Sequence, residues 1–419
     1  MKPLLTLAAR SAWNRRFTLM LTVASIALAT LLLMGIERLR TDLRANFTAA
    51  VSGTDLIVGA RTGSTQLLLY SVFRIGAATN NMGWASVQAL AGHRAVAWVV
   101  PLSLGDSHRG FPVLGTSAEY FERFRYGDRQ ALRLAEGRAF ATVFEAVLGA
   151  DVAEQLGYSL GQRLTLAHGS GDLVAEHADK PFVITGILAR TGTPVDRTVH
   201  ISLQSMEALH IDWTGGMQIP GLGMTPERLR TMELQPKAVT AALVGLKSRA
   251  AVFSVQRWVA DQRSEPLMAI LPGVALDELW EVVGVGEKAL LAMSVMVGIV
   301  SLGGLVSVVL AGLNERRREL AVLRAVGAGP RQVMALLALE GAMVTLAGAL
   351  LGLLLALGLT AALGPWLQAR HGLVIGWGLP SAEQWALFGA VVATGWLASL
   401  LPALRAYRLS LADGLSPRI

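Results

Sequence analysis

Asn314–Glu340, NERRRELAVLRAVGAGPRQVMALLALE, decides how this chain is read. It is a strongly basic segment caught between two long apolar runs. From Asn314 to Val326 there is no Gly or Pro. Leu320, Val322, Leu323 and Val326 spread over one side of a helix at about 100° per residue, and Arg317 and Arg324 fall on the other. Gly327-Ala328-Gly329-Pro330 then ends the helix, because glycine accepts a left-handed cap and proline disfavours the α conformation in the residue before it. A new apolar helix begins near Gln332. The spacing predicts a short basic helix pinned against a membrane.

Composition agrees: of 419 residues, 53% are hydrophobic and only 16% charged, with a mean hydropathy of +0.48. Four runs are long enough to cross a hydrocarbon core of about 30 Å: Phe17–Ile36, Ala289–Leu313, Val333–Leu363 and Gln384–Leu404. Between the first two lies a gap, Glu37–Lys288, long enough for one or two extramembrane domains. Met1–Arg16, Asn314–Gln332 and Arg405–Ile419 together hold 12 Lys/Arg against 3 acids, whereas the small loop Gly364–Glu383 has one basic residue, Arg370. By the positive-inside rule both termini and the Arg-rich loop are cytoplasmic and Glu37–Lys288 lies across the membrane. That gap carries 24 basic and 25 acidic residues, so the net charge of +7 comes from the cytoplasmic edges. The charge therefore points to anionic lipid or an acidic partner and not to nucleic acid.

An apolar stripe, Ile36, Leu39, Leu43, Phe47 and Ala50, continues past the first span among Glu37, Arg38, Arg40, Asp42 and Arg44. Leu276–Leu290 (LDELWEVVGVGEKAL) runs unbroken by proline into the second span. Two stalks are expected, with Leu39, Leu43 and Phe47 packed on the helix carrying Leu279, Val283 and Leu290. Between them the pattern is mixed α/β: Leu56–Val58, Ala97–Pro101, Phe111–Leu114, Arg163–Ala167 and Phe182–Leu188 read as strands. Ser86–Ala91, Glu119–Phe124, Val152–Leu156, Leu203–Leu209 and Ala251–Arg263 read as helices. Thr191–Pro236, interrupted by glycines and prolines, reads as a mobile insertion.

No G-x-x-x-x-G-K-[ST] occurs, so the chain cannot cradle ATP phosphates itself and is not expected to be an enzyme on its own. The absence of cysteine excludes disulfide staples and thiolate metal sites. All seven histidines fall outside the cytoplasm and none forms an H-x-x-x-H pair. His168 and His177 are expected to be solvated in a Gly/Asp-rich loop, with no metal bound. Asp172, Glu176 and Asp179 leave a weak site as the other reading. In the spans, Gly348, Gly352, Ala356 and Thr360 recur every four residues, as do Gly303, Ser307 and Ala311. Such spacing serves packing within one subunit or an interface between subunits. Glu340, roughly 10 Å into its span at 1.5 Å per residue, either faces protein or water or snorkels to the cytoplasmic surface. The first apolar run exceeds the core of a cleaved signal, so Ala27-Leu28-Ala29 is read as part of a retained anchor.

The pattern RRREL-x-x-LRA-x-GA (Arg316–Ala328), followed by Leu339-Glu340-Gly341, resembles the loop between the second and third helices of FtsX-like permeases of ABC transporters, of the MacB and LolC/LolE kind. Asn14-Arg15-Arg16 before the first span and Pro402-Ala403-Leu404-Arg405-Ala406 after the last are similar to the same family. Glu145–Thr165 and Phe182–Leu188 resemble the MacB-like periplasmic core domain. The tail PALRAYRLS lacks the fuller basic run of many relatives.

The resemblance implies a membrane protein with four transmembrane α-helices, extended stalks and a large α/β periplasmic domain between helices one and two. It further implies that Arg316, Arg317, Arg318, Glu319, Leu320, Leu323, Arg324, Gly327 and Ala328 form a coupling helix that docks on a separate ATPase. Glu340 is the membrane-embedded candidate and Leu39, Leu43, Phe47, Leu279 and Val283 are the stalk candidates. The expected organisation is an amphipathic segment 1–16, first span and stalk 17–50, periplasmic domain 51–275 with its insertion at 191–236, and stalk and second span 276–313. The coupling loop 314–332, third span 333–363, periplasmic loop 364–383, fourth span 384–404 and cytoplasmic tail 405–419 complete it.

No cofactor is expected on this chain; ATP and Mg belong to the partner ATPase, two copies of which are implied. A second, identical permease subunit, a periplasmic adaptor or substrate-binding protein, and the lipid bilayer of a bacterial inner membrane are the other implied partners. The function expected is coupling of ATP hydrolysis to movements of the periplasmic domain, for export or periplasmic handling of a substrate. The alternative is a transducer that moves no substrate and activates a periplasmic protein. A stand-alone secondary transporter is disfavoured, since polar groups at mid-membrane and inverted repeats are not evident.

Overall fold

A computed structural model describes residues 16–50, 52–168, 175–214, 217–218, 223–315, 327–371, 375–376 and 378–408. Helix α1 (Arg16–Ala49) leads into β1 (Leu56–Ala60), α2 (Trp84–Ala91), the long strand β2 (Val96–His108) and β3 (Phe111–Thr116). Then come β4 (Leu134–Gly137), β5 (Glu145–Leu148), α3 (Ala150–Leu156), a small hairpin β6 (Ala167–His168) and β7 (Ala175–Glu176), and β8 (Phe182–Leu188). β9 (Val199–Ser202), α4 (Leu203–His210), β10 (Ala241–Leu246), α5 (Val252–Ala260) and β11 (Leu267–Ile270) follow. The chain ends in three long helices, α6 (Pro272–Glu315), α7 (Pro330–His371) and α8 (Ala382–Arg408).

Among the described residues, four helices contain stretches long and apolar enough to cross a membrane, within Leu19–Ala49, Pro272–Val308, Pro330–Gln368 and Ala382–Leu401. The chain separates into two compact units, one comprising the apolar parts of these helices up to Asp42, from Gly284 to Pro365 and from Ile375, and the other comprising Leu43–Val283 and Trp366–Val374.

The second unit is built on one mixed sheet whose main path runs β11–β1–β10–β2–β3–β9–β5–β8–β4. β9 with β3 and β8 with β5 are parallel pairs, and the remaining neighbours on that path are antiparallel. Because side chains alternate across a strand, one strand feeds two cores. Ile57 joins a cluster with Leu67, Tyr70, Val100, Leu102 and Tyr120, while Leu56 and Val58 face α2 and α5 through Val87, Val255 and Val259. A third cluster gathers Val113, Phe144, Leu148, Phe182, Ile184, Val199 and Leu209. With both faces covered, β1 and β9 are buried along their whole length.

The reading of Thr191–Pro236 as a mobile insertion is corrected at its first third. Val199–Ser202 is a strand inside the sheet, paired with Val113–Thr116 on one side and Ala146–Leu148 on the other. The turn before it is fixed by Asp196, 2% exposed, whose carboxylate accepts from the amides of Thr191 and Gly192 and from the Thr191 hydroxyl at 2.7–3.0 Å. Glycine and proline punctuate this segment because the chain turns tightly there, not because it leaves the core.

Candidate functional site

Arg316, Arg317, Arg318, Glu319, Leu320, Leu323 and Arg324 lie outside the described residues. The break that follows them is described: Gly327 has φ +105°, the left-handed region, Gln332 caps the turn through the Gly329 amide at 3.0 Å, and a helix restarts at Pro330. Ala328 sits in the same turn.

Glu340 is 2% exposed, so it is buried among protein groups and does not snorkel outward. The next residue shows how tightly the neighbouring helix approaches. A Cβ added to Gly341 would stand 2.2 Å from the Ser399 Cβ on α8. Gly348 and Gly352 meet α1 in the same way: added Cβ atoms there would lie 2.8 Å from Ile26 and 2.5 Å from the Ala27 carbonyl oxygen. The small residues of the third span therefore serve packing within one chain. Ser301 on α6 donates to the Ser25 carbonyl of α1 at 3.1 Å, yet an added Cβ at Gly303 would meet nothing within 4 Å.

Where α1 leaves its apolar stretch, charged residues replace the expected leucine seam. Arg40 Nε lies 2.5 Å from Glu287 of α6. Arg38 donates to the carbonyls of Gly376 and Gly378, and Asp42 accepts from the Gly376 amide at 3.0 Å, so the loop before α8 is clasped to α1 just past its apolar stretch. In the second unit Arg44 is 4.0 Å from Asp277, and Phe47 packs on Phe73 and Trp280 at 4.4 and 5.5 Å between ring centroids. Leu279 joins that cluster and Leu43 is half-buried.

Leu39, Val283 and Leu290, by contrast, are 42%, 44% and 49% exposed, so the predicted Leu39–Val283–Leu290 seam is corrected. Arg40, Arg44 and Phe47, at spacings of four and three, share one face of α1, and each meets α6, at Glu287, Asp277 and Trp280 respectively. The Arg38–Asp42 clasp was missed by sequence reading, although an Arg and an Asp four apart at a span end are visible as a helix pair.

Of the two histidines expected to be solvated, His168 keeps a side chain 42% exposed and His177 does not stay in solvent. His108, His177 and His200 are 4%, 0% and 0% exposed. Burial holds His177 well below the usual histidine range, at about 4, although the Asp106 charge opposes it. Burial drives His200 lower, to about 3, with the Arg74 charge acting in the same direction. His168, His177 and His210 converge on Asp106, 62 residues before His168 and not among the acids that sequence proximity nominated. Asp179 is exposed, and the side chains of Asp172 and Glu176 lie outside the described residues. Spacing gave no signal because β6 carries His168 beside Asp106 through strand pairing.

Comparison with known proteins adds the following. The profile of the MacB-like periplasmic core domain matches residues 19–260, and that of the FtsX-like permease C-terminal matches 291–411. The lipoprotein-releasing system transmembrane protein LolC of Neisseria meningitidis is 24% identical over 220 residues, 51% of this chain and 48% of that protein. The macrolide export ATP-binding/permease protein MacB of Brucella abortus is 34% identical over 125 residues, 30% of this chain and 18% of that protein. The chain thus spans about half or less of the length of these relatives. The crystal structure of the periplasmic region of MacB from Actinobacillus actinomycetemcomitans superposes with a TM-score of 0.36 at 11% identity, over 56% of this chain and 95% of that one.

Proposed function

As the chain belongs to the family defined by the MacB-like periplasmic core domain and carries an FtsX-like permease C-terminal region, we propose that it is the permease subunit of an ABC transporter. In this reading a separate cytoplasmic ATPase, present in two copies, binds ATP and Mg and docks on Arg316–Ala328. The permease pairs with a second copy in a bacterial inner membrane, with both termini cytoplasmic. ATP-driven movement passes to the periplasmic domain, which exports or hands on a substrate, with a periplasmic adaptor or substrate-binding protein as a further partner.

The observation that carries this reading is helix continuity. α1 is one helix of 34 residues and α6 one of 44, about 50 and 65 Å at 1.5 Å per residue, against about 30 Å for a hydrocarbon core. Each runs without a break from its apolar stretch to the core of the domain, where Ala50, Leu276 and Phe47 pack. A continuous helix transmits a tilt or displacement along its length; a flexible linker would dissipate it.

The first prediction tests the docking. Arg317→Glu with Arg324→Glu should release the ATPase while the permease remains inserted, because a single exposed charge pair is worth only about 1 kcal/mol and two reversals are required. Co-purification of the ATPase with the double variant at the wild-type level would remove the docking assignment.

A further inference from the structure

Asp106 lies on β2, and β6 pairs with that strand so that His168 stands directly beside it. The chain then turns back through β7, and His177 follows at once, its amide donating to the Leu166 carbonyl at 2.9 Å. His210 ends α4. Three separate elements thus deliver three imidazoles to one carboxylate, and a ligand atom from each of the four lies within 4.8 Å of the others.

Three of these atoms form a tight triangle. Asp106 Oδ1 is 3.0 Å from His168 Nδ1 and 3.3 Å from His210 Nε2, and the two nitrogens are 3.2 Å apart. Bonds of about 2.0–2.1 Å to zinc place tetrahedral ligand atoms about 3.3–3.5 Å apart, so the triangle is one face of such a site drawn in by at most about 0.3 Å along its shortest side.

The hydrogen count is what demands a cation. The Met206 carbonyl can only accept, so His210 Nδ1, 2.9 Å away, carries a hydrogen. In a neutral imidazole Nε2 is then bare and turns its lone pair on the Asp106 carboxylate and on His168 Nδ1. His168 Nδ1 has one hydrogen at most and cannot serve both neighbours. A positive charge between these atoms removes the conflict, and the fixed Nδ1–H bond to a backbone carbonyl is the outer partner that metal-binding histidines ordinarily have.

His177 supplies a second, independent observation. Its side chain is fully buried, packed on Trp213 with ring centroids 4.1 Å apart, and neither ring nitrogen makes a hydrogen bond among the described residues. Asp106 Oδ2 is likewise buried without a hydrogen bond among them. Unsatisfied buried polar atoms are costly, and a bound ion would give one of the His177 nitrogens a partner. A cleft of about 290 Å³ lined by Asn81, Asp106, His168, Glu207, His210 and Lys237 opens onto the cluster and gives an ion a way in.

We propose that Asp106, His168, His177 and His210 form a binding site for a divalent transition-metal ion, zinc by its three-nitrogen, one-oxygen donor set. Four protein ligands leave no position for a substrate water, so the ion holds structure and does no hydrolysis. It would tie the β6–β7 hairpin and the end of α4 to β2, making the conformation of this face depend on metal.

The test uses the full chain in detergent, purified with a tag free of histidine, stripped with a chelator and titrated with Co²⁺ and then Zn²⁺. One Co²⁺ per chain is expected, with the intense visible bands of tetrahedral cobalt, displaced by Zn²⁺, and zinc should raise the thermal midpoint. Asp106→Asn with His210→Ala should abolish uptake. His168→Ala removes the ligand whose side chain is 42% exposed, so the fold should survive, and zinc binding should weaken at least about tenfold. Should the double variant not fold, His168→Ala decides alone. Absence of stoichiometric uptake by the wild type would leave a proton as the cation and overturn the proposal. Unchanged affinity in a folded His168→Ala protein would overturn it equally.

Discussion

The two units differ in how they keep polar groups buried. Among the spans, buried hydroxyls bond to carbonyls of their own helices, as Thr30 to Ile26 at 2.8 Å and Thr345 to Gly341 at 2.8 Å, with Ser301 and Ser399 also reaching a neighbouring helix, and helices approach closely at glycine. In the domain, buried ionisable groups reach between elements as well. Lys180, fully buried, pairs with Asp212 and donates to the Leu209 carbonyl at 3.1 Å, and Arg190 reaches Asp151 at 2.5 Å. A helix can satisfy its own backbone, so in lipid its contacts come down to shape. A sheet with inserted loops leaves charges between layers, and each needs a partner from elsewhere in the chain.

The largest effect should come from breaking a domain pair. Lys180→Met leaves the buried Asp212 carboxylate without its cation and should cost about 3–5 kcal/mol of domain stability, read as a lower thermal midpoint of the purified protein. A loss below about 1 kcal/mol would mean that Asp212 does not depend on this pair.

The spans should answer to shape instead. Gly352→Leu would drive a side chain into the Ala27 carbonyl and cost about 1–3 kcal/mol, whereas Gly303→Leu, on an open face, should stay within about 0.5 kcal/mol. Unfolding of both variants in detergent checks the contrast. Equal destabilisation by the two would erase the distinction between a packed and an open glycine face.

The third and smallest effect concerns pH. His200 accepts no ordinary protonation in the fold: burial lowers it to about 3, with Arg74 adding to the effect, and the Tyr120 ring packs on it at 5.5 Å. Since the folded value lies below the unfolded value of about 6.5, the unfolded chain binds the proton first, and stability falls as pH drops from about 6.5 towards 3. His200→Phe should flatten the thermal midpoint against pH in that window, and an unaltered profile would assign the acid sensitivity elsewhere.

Much of the architecture was legible locally. Phe182–Leu188 alternates buried and half-buried positions along its whole length, which is the signature of a strand with one face in the core, and the four spans announce themselves by length. Glu145–Leu148, Val199–Ser202, Ala241–Leu246 and Leu267–Ile270 were not read as strands, because segments of four to six residues carry too little period to separate strand from helix or loop.

Hydropathy, charge asymmetry and the Arg316–Ala328 motif therefore determined, from sequence alone, a membrane protein with a large domain between its first two spans and the family to which it belongs. These properties are additive along the chain, so a reader of neighbours can sum them. Which glycine face is filled, which stalk residues meet, and that Asp106 gathers His168, His177 and His210 were decided only by tertiary structure. Strand pairing places residues 62 positions apart within 3.0 Å, and no local period records a contact of that kind.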